Sequence, residues 1–159
     1  MHKFIAIMIL VGITITAADM IPVNPLWVHD GDTFRATVLD RAVLDCRIWG
    51  IDAPELDQPW GRVARHSLIA LVHLRNVQVR QVSKSYNRTV VQVKRHDVDI
   101  ALALLKMGLA WVTVEYDPPP EYIKAEAEAR ASKRGLWSEK KPIPPWEWRK
   151  EKRGKRPEK

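Results

Sequence analysis

At 159 residues the chain has room for one domain with a sizeable core and too little for two. Its single cysteine, Cys46, excludes an intrachain disulfide, so the fold must stand on its core alone. The formal charge of +7 is uneven: residues 138–159 hold nine Lys/Arg against four Glu (+5), residues 19–137 sixteen against fifteen (+1), which suits a polyanionic partner and equally a solvated tail.

Residues 1–18 start with His2 and Lys3, continue as an apolar run from Phe4 to Ile15 and finish with Thr16, Ala17 and Ala18. This is the pattern of a secretory signal peptide, with processing expected after Ala18 or, next best, Ala17. The run is shorter than the ~20 apolar residues of a spanning helix; an uncleaved anchor is the alternative. The expected address is therefore secreted or periplasmic, off the membrane once the signal is removed. Residues 19–27 contain Pro22 and Pro25, show no period and read as a leader to a domain over 28–137.

From Asp32, the residues Phe34, Ala36 and Val38 share one face while Thr33, Arg35 and Thr37 share the other. Val43 to Trp49 alternates again, placing Cys46 with Leu44 and Ile48 as a small buried hydrophobe opposite Arg47. With a turn at Asp40-Arg41, a hairpin is expected over about 32–50. Arg62 to Leu74 carries apolar residues at 64, 68, 71 and 72, one face of a helix. A second hairpin is expected from Val77–Val82 and Thr89–Val93 around the polar Ser83–Arg88. Asp99 can cap a helix through Met107, closed by Gly108, and Leu109–Val114 returns as a short strand. Glu121 begins another helix, Gly135 ends it, and Leu136-Trp137 follows as an apolar clamp. Residues 138–159 are expected to be extended or disordered. Alternatively Trp146 and Trp148, with Pro142, Pro144 and Pro145, pin them back onto the body. The class is mainly β with helices laid on a small barrel, α+β.

Asp32 opens the first run and Asp52 closes the second, so pairing brings their carboxylates together. Calcium wants several oxygen ligands, and Asp32, Asp52, a backbone carbonyl near Ala53, Glu55 and waters could supply them; magnesium fits the list less easily. An aspartate before Gly31 or before Pro54 can also be a plain turn former. Arginines on a strand's polar face are ordinarily just solvated.

Asp30-Gly31-Asp32-Thr33, then Arg47-x4-Asp52-x-Pro54-Glu55, then Tyr86-x-Arg88, in this order and spacing, resembles staphylococcal nuclease and its relatives over roughly Val28 to Trp137. The resemblance implies a five-stranded oligonucleotide-binding (OB) barrel with about three helices. It also implies a calcium-dependent phosphodiesterase acting on DNA and RNA. Matched residue by residue, Asp32 and Asp52 become the calcium ligands together with the Ala53 carbonyl, and Asp30 orients a ligand or a metal-bound water. Glu55 becomes the general base. Arg47 and Arg88 flank the scissile phosphate, and Tyr86 and Tyr116 line the nucleotide pocket. The chain departs from the pattern at Val114, where a tyrosine is expected, at Ala53 for threonine and at Asn87 for glycine. Substrates are expected to be DNA, RNA or both, single-stranded or frayed, cut endonucleolytically, with no obligate protein partner implied. The competing readings are a catalytically weak OB module that binds single strands and a tail-driven polyanion binder with a structural barrel.

Overall fold

The computed structural model describes residues 9–10, 13–14, 19–38, 42–73, 76–85 and 87–154. The expected processing site, the Asp40-Arg41 turn and Tyr86 lie outside the described residues. Within residues 1–18, Ile9–Leu10 and Ile13–Thr14 pair antiparallel.

Alternation builds the sheet as expected at its centre. Strand β2 (Thr33–Val38) buries Phe34, Ala36 and Val38 and pairs antiparallel with β3 (Ala42–Ile48), which buries Cys46 and Ile48. Phe34 sits opposite Cys46 and Thr33 opposite Arg47. Preceding them is a strand the sequence does not announce: β1 (Ile21–Val28) occupies the segment expected to be a leader and pairs with β2. Its two inward residues, Val23 and Val28, have an odd spacing, which alternation would send to opposite faces. A bulge between Pro25 and Trp27 absorbs the extra residue, and prolines are tolerated where the ladder is interrupted.

The second expected hairpin is β5 (Val77–Ser85) with β6 (Arg88–Arg95), burying Val77, Val79, Val91 and Val93. Strand β5 pairs with the free edge of β1, and β6 returns to pair in parallel with β3, Cys46 beside Thr89 and Ile48 beside Val91. The circuit β3-β2-β1-β5-β6 thereby closes into a five-stranded mixed barrel, the OB arrangement. Three short strands complete the frame. Ile51–Asp52 (β4) pairs with Trp111–Val112 (β8), and Val98–Asp99 (β7) pairs with the end of β6.

Among the described residues four α-helices accompany the barrel, one more than expected. Helix α1 (Gly61–Val72) buries Ala64, Leu68 and Val72, the face its periodicity indicates. Helix α2 (Ile100–Lys106) is capped by Asp99, whose carboxylate accepts from Leu102 N at 3.0 Å. Gly108, at φ 68°, ends it in the left-handed conformation expected there. Helix α3 (Pro120–Ala131) buries Tyr122, Ala125 and Ala129 and packs on α2.

The fourth, α4 (Pro145–Gly154), replaces the extended tail expected beyond Ser138. Its signals are standard ones: proline at the first position, Glu147 in the first turn, Lys152 and Arg153 in the last. Charge and proline density obscured them. The segment docks through aromatic contacts, with Trp111 packed edge-on to Trp137 at 4.3 Å and to Trp146 at 5.6 Å between ring centroids. Arg130 lies over the rings of Trp111 and Trp137, at 4.8 and 4.0 Å. No described helix is long and apolar enough to cross a membrane.

Candidate active site

The hairpin does with the two aspartates what their positions at its ends suggest. Asp32 enters β2, Asp52 lies in β4 just past the β3 turn, and both are 4% exposed. Between them lies Arg47, with 18% of its side-chain surface exposed. Its Nη2 donates to Asp52 Oδ1 at 2.8 Å, and its Nη1 is ion-paired with Asp32 Oδ1. Asp32 Oδ2 accepts from the Ala53 amide at 2.6 Å, and Oδ1 also accepts from the Thr33 hydroxyl at 3.0 Å. Asp30 stands behind: its Oδ1 accepts the backbone N–H of Asp32 at 3.0 Å and so fixes the approach of the loop. Burial pulls the Arg47 guanidinium below its ordinary range, opposed chiefly by the Asp52 charge.

Two glycines make this geometry possible. A Cβ on Gly31 would lie 2.6 Å from the Ala53 side chain and 2.7 Å from that of Ala64, so only glycine lets the Asp32 loop pass between β4 and α1. A Cβ on Gly61 would lie 1.7 Å from the Glu55 carbonyl oxygen. The start of α1 therefore presses directly on the turn that presents Glu55. That turn is further held by the buried Gln58, whose Oε1 accepts the Glu55 N–H at 3.2 Å.

Arg88 lies on the strand beside Arg47. Val90 is in register with Arg47 across the parallel pair, and Arg88, two residues earlier, shares that face. Asp30, Asp32, Arg47, Asp52, Ala53, Glu55, Arg88 and Tyr116 all line one cleft of about 790 Å³. Tyr116 is 61% exposed at its edge. Val114 is exposed outside the cleft lining, while its neighbours Thr113 and Glu115 contribute to the wall.

The sequence reading did not find Arg149. From α4 its Nη2 donates to Asp52 Oδ2 at 2.7 Å and its Nη1 to Glu55 Oε1 at 2.7 Å. The hydrogen bond to Asp52, supported by Glu55, raises this guanidinium above the ordinary arginine range. Trp146 lines the same cleft. No local signal marks either residue, because each arrives from a helix joined to the site only through the tertiary fold.

The donor chemistry suits a hard divalent cation, since Asp30, Asp32, Asp52, Glu55 and Glu115 line one cleft without sulfur or imidazole. Among the described residues, however, no three acidic, histidine or cysteine side chains converge as a metal cluster. Asp32, Asp52 and Glu55 spend their oxygens on Arg47 and Arg149, two resident cations standing where positive charge is wanted. By oxygen chemistry Asp32, Asp52 and Glu55 fit a hard cation, and in this arrangement the guanidinium groups of Arg47 and Arg149 lie on their oxygens.

A closed OB-type barrel carrying an acidic cleft flanked by arginines defines the class of protein. The family model described as staphylococcal nuclease homologue matches residues 45–139. A protein of Haemophilus influenzae named an uncharacterized endonuclease is 34% identical over 125 residues, 78% of this chain and 70% of its own length. One of Escherichia coli O157:H7 with the same name is 38% identical over 125 residues, 77% of this chain and 80% of its own. A probable staphylococcal-like nuclease of Oryza sativa subsp. japonica is 38% identical over 111 residues, 69% of this chain, which spans only 29% of that longer protein. The chain belongs to the staphylococcal nuclease family.

Proposed function

We propose that this protein is a metal-dependent endonuclease, with calcium as its ion, that hydrolyses phosphodiester bonds of DNA and RNA, preferring single-stranded or frayed substrate. One observation carries the reading: two buried aspartates share the Arg47 guanidinium at the wall of a cleft that Glu55 and Arg88 also line. The names of the bacterial relatives and the family match support nuclease chemistry on this fold. Asp32 and Asp52, with the Ala53 carbonyl, would hold the ion, and Asp30 fixes the Asp32 loop. A bound calcium supplies polarisation of the phosphoryl oxygen and charge neutralisation. Glu55 accepts a proton from the attacking water. Arg47 and Arg88 meet charge developing on the equatorial oxygens. Tyr116 and Tyr86 stack on bases, each worth ~1 to 3 kcal/mol. The pattern of residues 1–18 supports export to the periplasm or exterior, which N-terminal sequencing of the exported protein tests; recovery of the full-length chain in the cytoplasm would contradict it.

The test incubates the protein with single-stranded DNA, duplex DNA and RNA, in calcium or in chelator. Cleavage in calcium and none in chelator is expected. Asp52→Ala should lose calcium binding and activity together. Arg88→Ala should keep calcium binding and lose about 100-fold in turnover; full activity in that variant would remove Arg88 from the reaction. Because Arg47 and Arg149 satisfy the carboxylates without any metal, a second reading stands, a catalytically weak module that binds single strands. Binding without cleavage in calcium would select it.

A further inference from the structure

Helix α4 places one guanidinium at the acidic end of the cleft. Arg149 uses Nη2 on Asp52 Oδ2 at 2.7 Å, and Nη1 on Glu55 Oε1 at 2.7 Å and on Asp52 Oδ1 at 3.2 Å. The helix is anchored independently of this contact. Trp148 Nε1 donates to Asp57 Oδ1 at 3.2 Å, Lys152 pairs with the same carboxylate, Trp146 packs on Trp111, and the Ile143 carbonyl accepts from Gln58. The arginine is thus presented to the cleft by a docked element.

We infer that Arg149 is a substrate-phosphate ligand held in reserve: its fork closes on Asp52 and Glu55, and it is freed when Asp52 takes a divalent cation and Glu55 turns to the attacking water. The inference rests on the metal-dependent reading above. It follows first from oxygen use. Arg149 engages both oxygens of Asp52 and one of Glu55, and a hard cation needs such oxygens bare. A dication at Asp52 competes with the guanidinium for these lone pairs and repels its charge, so the Arg149 contact weakens when the ion binds.

It follows also from mobility. Arg47 is enclosed by Asp32 and Asp52, with 18% of its side chain exposed, whereas Arg149 keeps 41% exposed and can swing away on its flexible stem. Charge decides where it goes. Asp32, Asp52 and Glu55 with Arg47 and Arg149 leave the metal-free pocket at net −1, which repels phosphate. A dication brings the same set to +1, the match for one phosphodiester charge; without Arg149 the loaded pocket would be neutral. A planar fork suits two phosphate oxygens, and Arg88 lines the same cleft.

The experiment compares the full chain with Arg149→Gln and Arg149→Lys. Calcium titrated by calorimetry, without substrate, should bind Arg149→Gln about tenfold tighter than the parent because the competing ion pair is gone. With calcium saturating, the KM for a single-stranded oligonucleotide should rise about tenfold while kcat holds, the signature of lost uniform binding. Arg149→Lys, which keeps the charge and loses the fork, should fall between the two in both readouts. It also guards against a folding defect, since both variants should show the parent's circular dichroism. Equal calcium affinity in all three proteins would overturn the exchange while leaving calcium dependence intact. Tighter calcium binding with an unchanged KM would overturn the phosphate role. No calcium binding by any of the three, with hydrolysis indifferent to chelator, would overturn the metal-dependent reading and this inference with it.

Discussion

Arg47 is the residue that ties the two buried aspartates of the cleft together. It bridges Asp32 and Asp52, each 4% exposed, so Arg47→Ala would leave the buried Asp32 without its ion-pair partner and Asp52 with Arg149 alone. A loss of about 3 kcal/mol is expected in chemical denaturation, and Arg47→Lys should recover part of it. A loss under about 1 kcal/mol would mean that water already compensates the aspartates. Cys46 makes a different case. Burial pushes its thiol from an ordinary value near 9 up to about 12. A thiol with a raised native pKa is neutral in the fold and ionises more readily when unfolded. Its contribution is therefore complete below pH 9 and is lost as pH rises through 12. The denaturation midpoint should fall over that window, and Cys46→Ala should fall less steeply. The native thiol should also resist alkylation at about pH 8, where a reactive surface cysteine would be consumed.

Among the elements, α4 changes most between sequence and structure. Its docking puts the Trp146 ring against Trp111 and buries Pro145, so the tail is part of the packed body. Truncation after Ser138 should lower Tm by about 5 °C and shift tryptophan emission to the red as Trp111 meets water. An unchanged Tm would return the tail to the solvated state its composition suggests. Asp57 ties the same helix down. Lys152, assisted by Trp148, holds its carboxyl below the usual range. A depressed carboxylate contributes above its ordinary titration range and ceases to contribute as pH falls through the lowered value, so this tether loosens in acid. Strand β1 is the other revised element. Paired on one side with β2 and on the other with β5, it completes the barrel.

At the scale of the whole molecule, the tail's charge divides between two tasks. Arg149 and Lys152 are paired with acids of the body, whereas Lys140, Lys141, Lys150 and Arg153 are exposed. Among the described residues of the tail, this exposed set is placed to attract a polyanion. Neutralising those four to glutamine should leave Tm unchanged while flattening the slope of log affinity against log salt, by ~0.7 for every single-strand phosphate no longer neutralised. Identical slopes would show that these four charges neutralise no phosphate.

The sequence by itself determined what depends on short periods and local chemistry. Alternation from Phe34 to Ile48 set the first hairpin, the Asp99 and Gly108 signals bounded α2, and the order of Asp32, Arg47, Asp52, Glu55 and Arg88 carried the family and its cleft. Such features are legible because a side chain's face follows from its immediate neighbours. The tertiary structure alone decided the rest. The bulge that turns both Val23 and Val28 inward lies in the ladder of β1 with β2, and no count of residues along 19–27 reveals it. The parallel return of β6 onto β3 depends on barrel closure. Arg149 reaches Asp52 and Glu55 across 97 and 94 residues of chain. A contact at that separation is fixed by which surfaces bury one another, here the tryptophans that seat α4, and the packed aromatic faces thus choose which arginine guards the carboxylates.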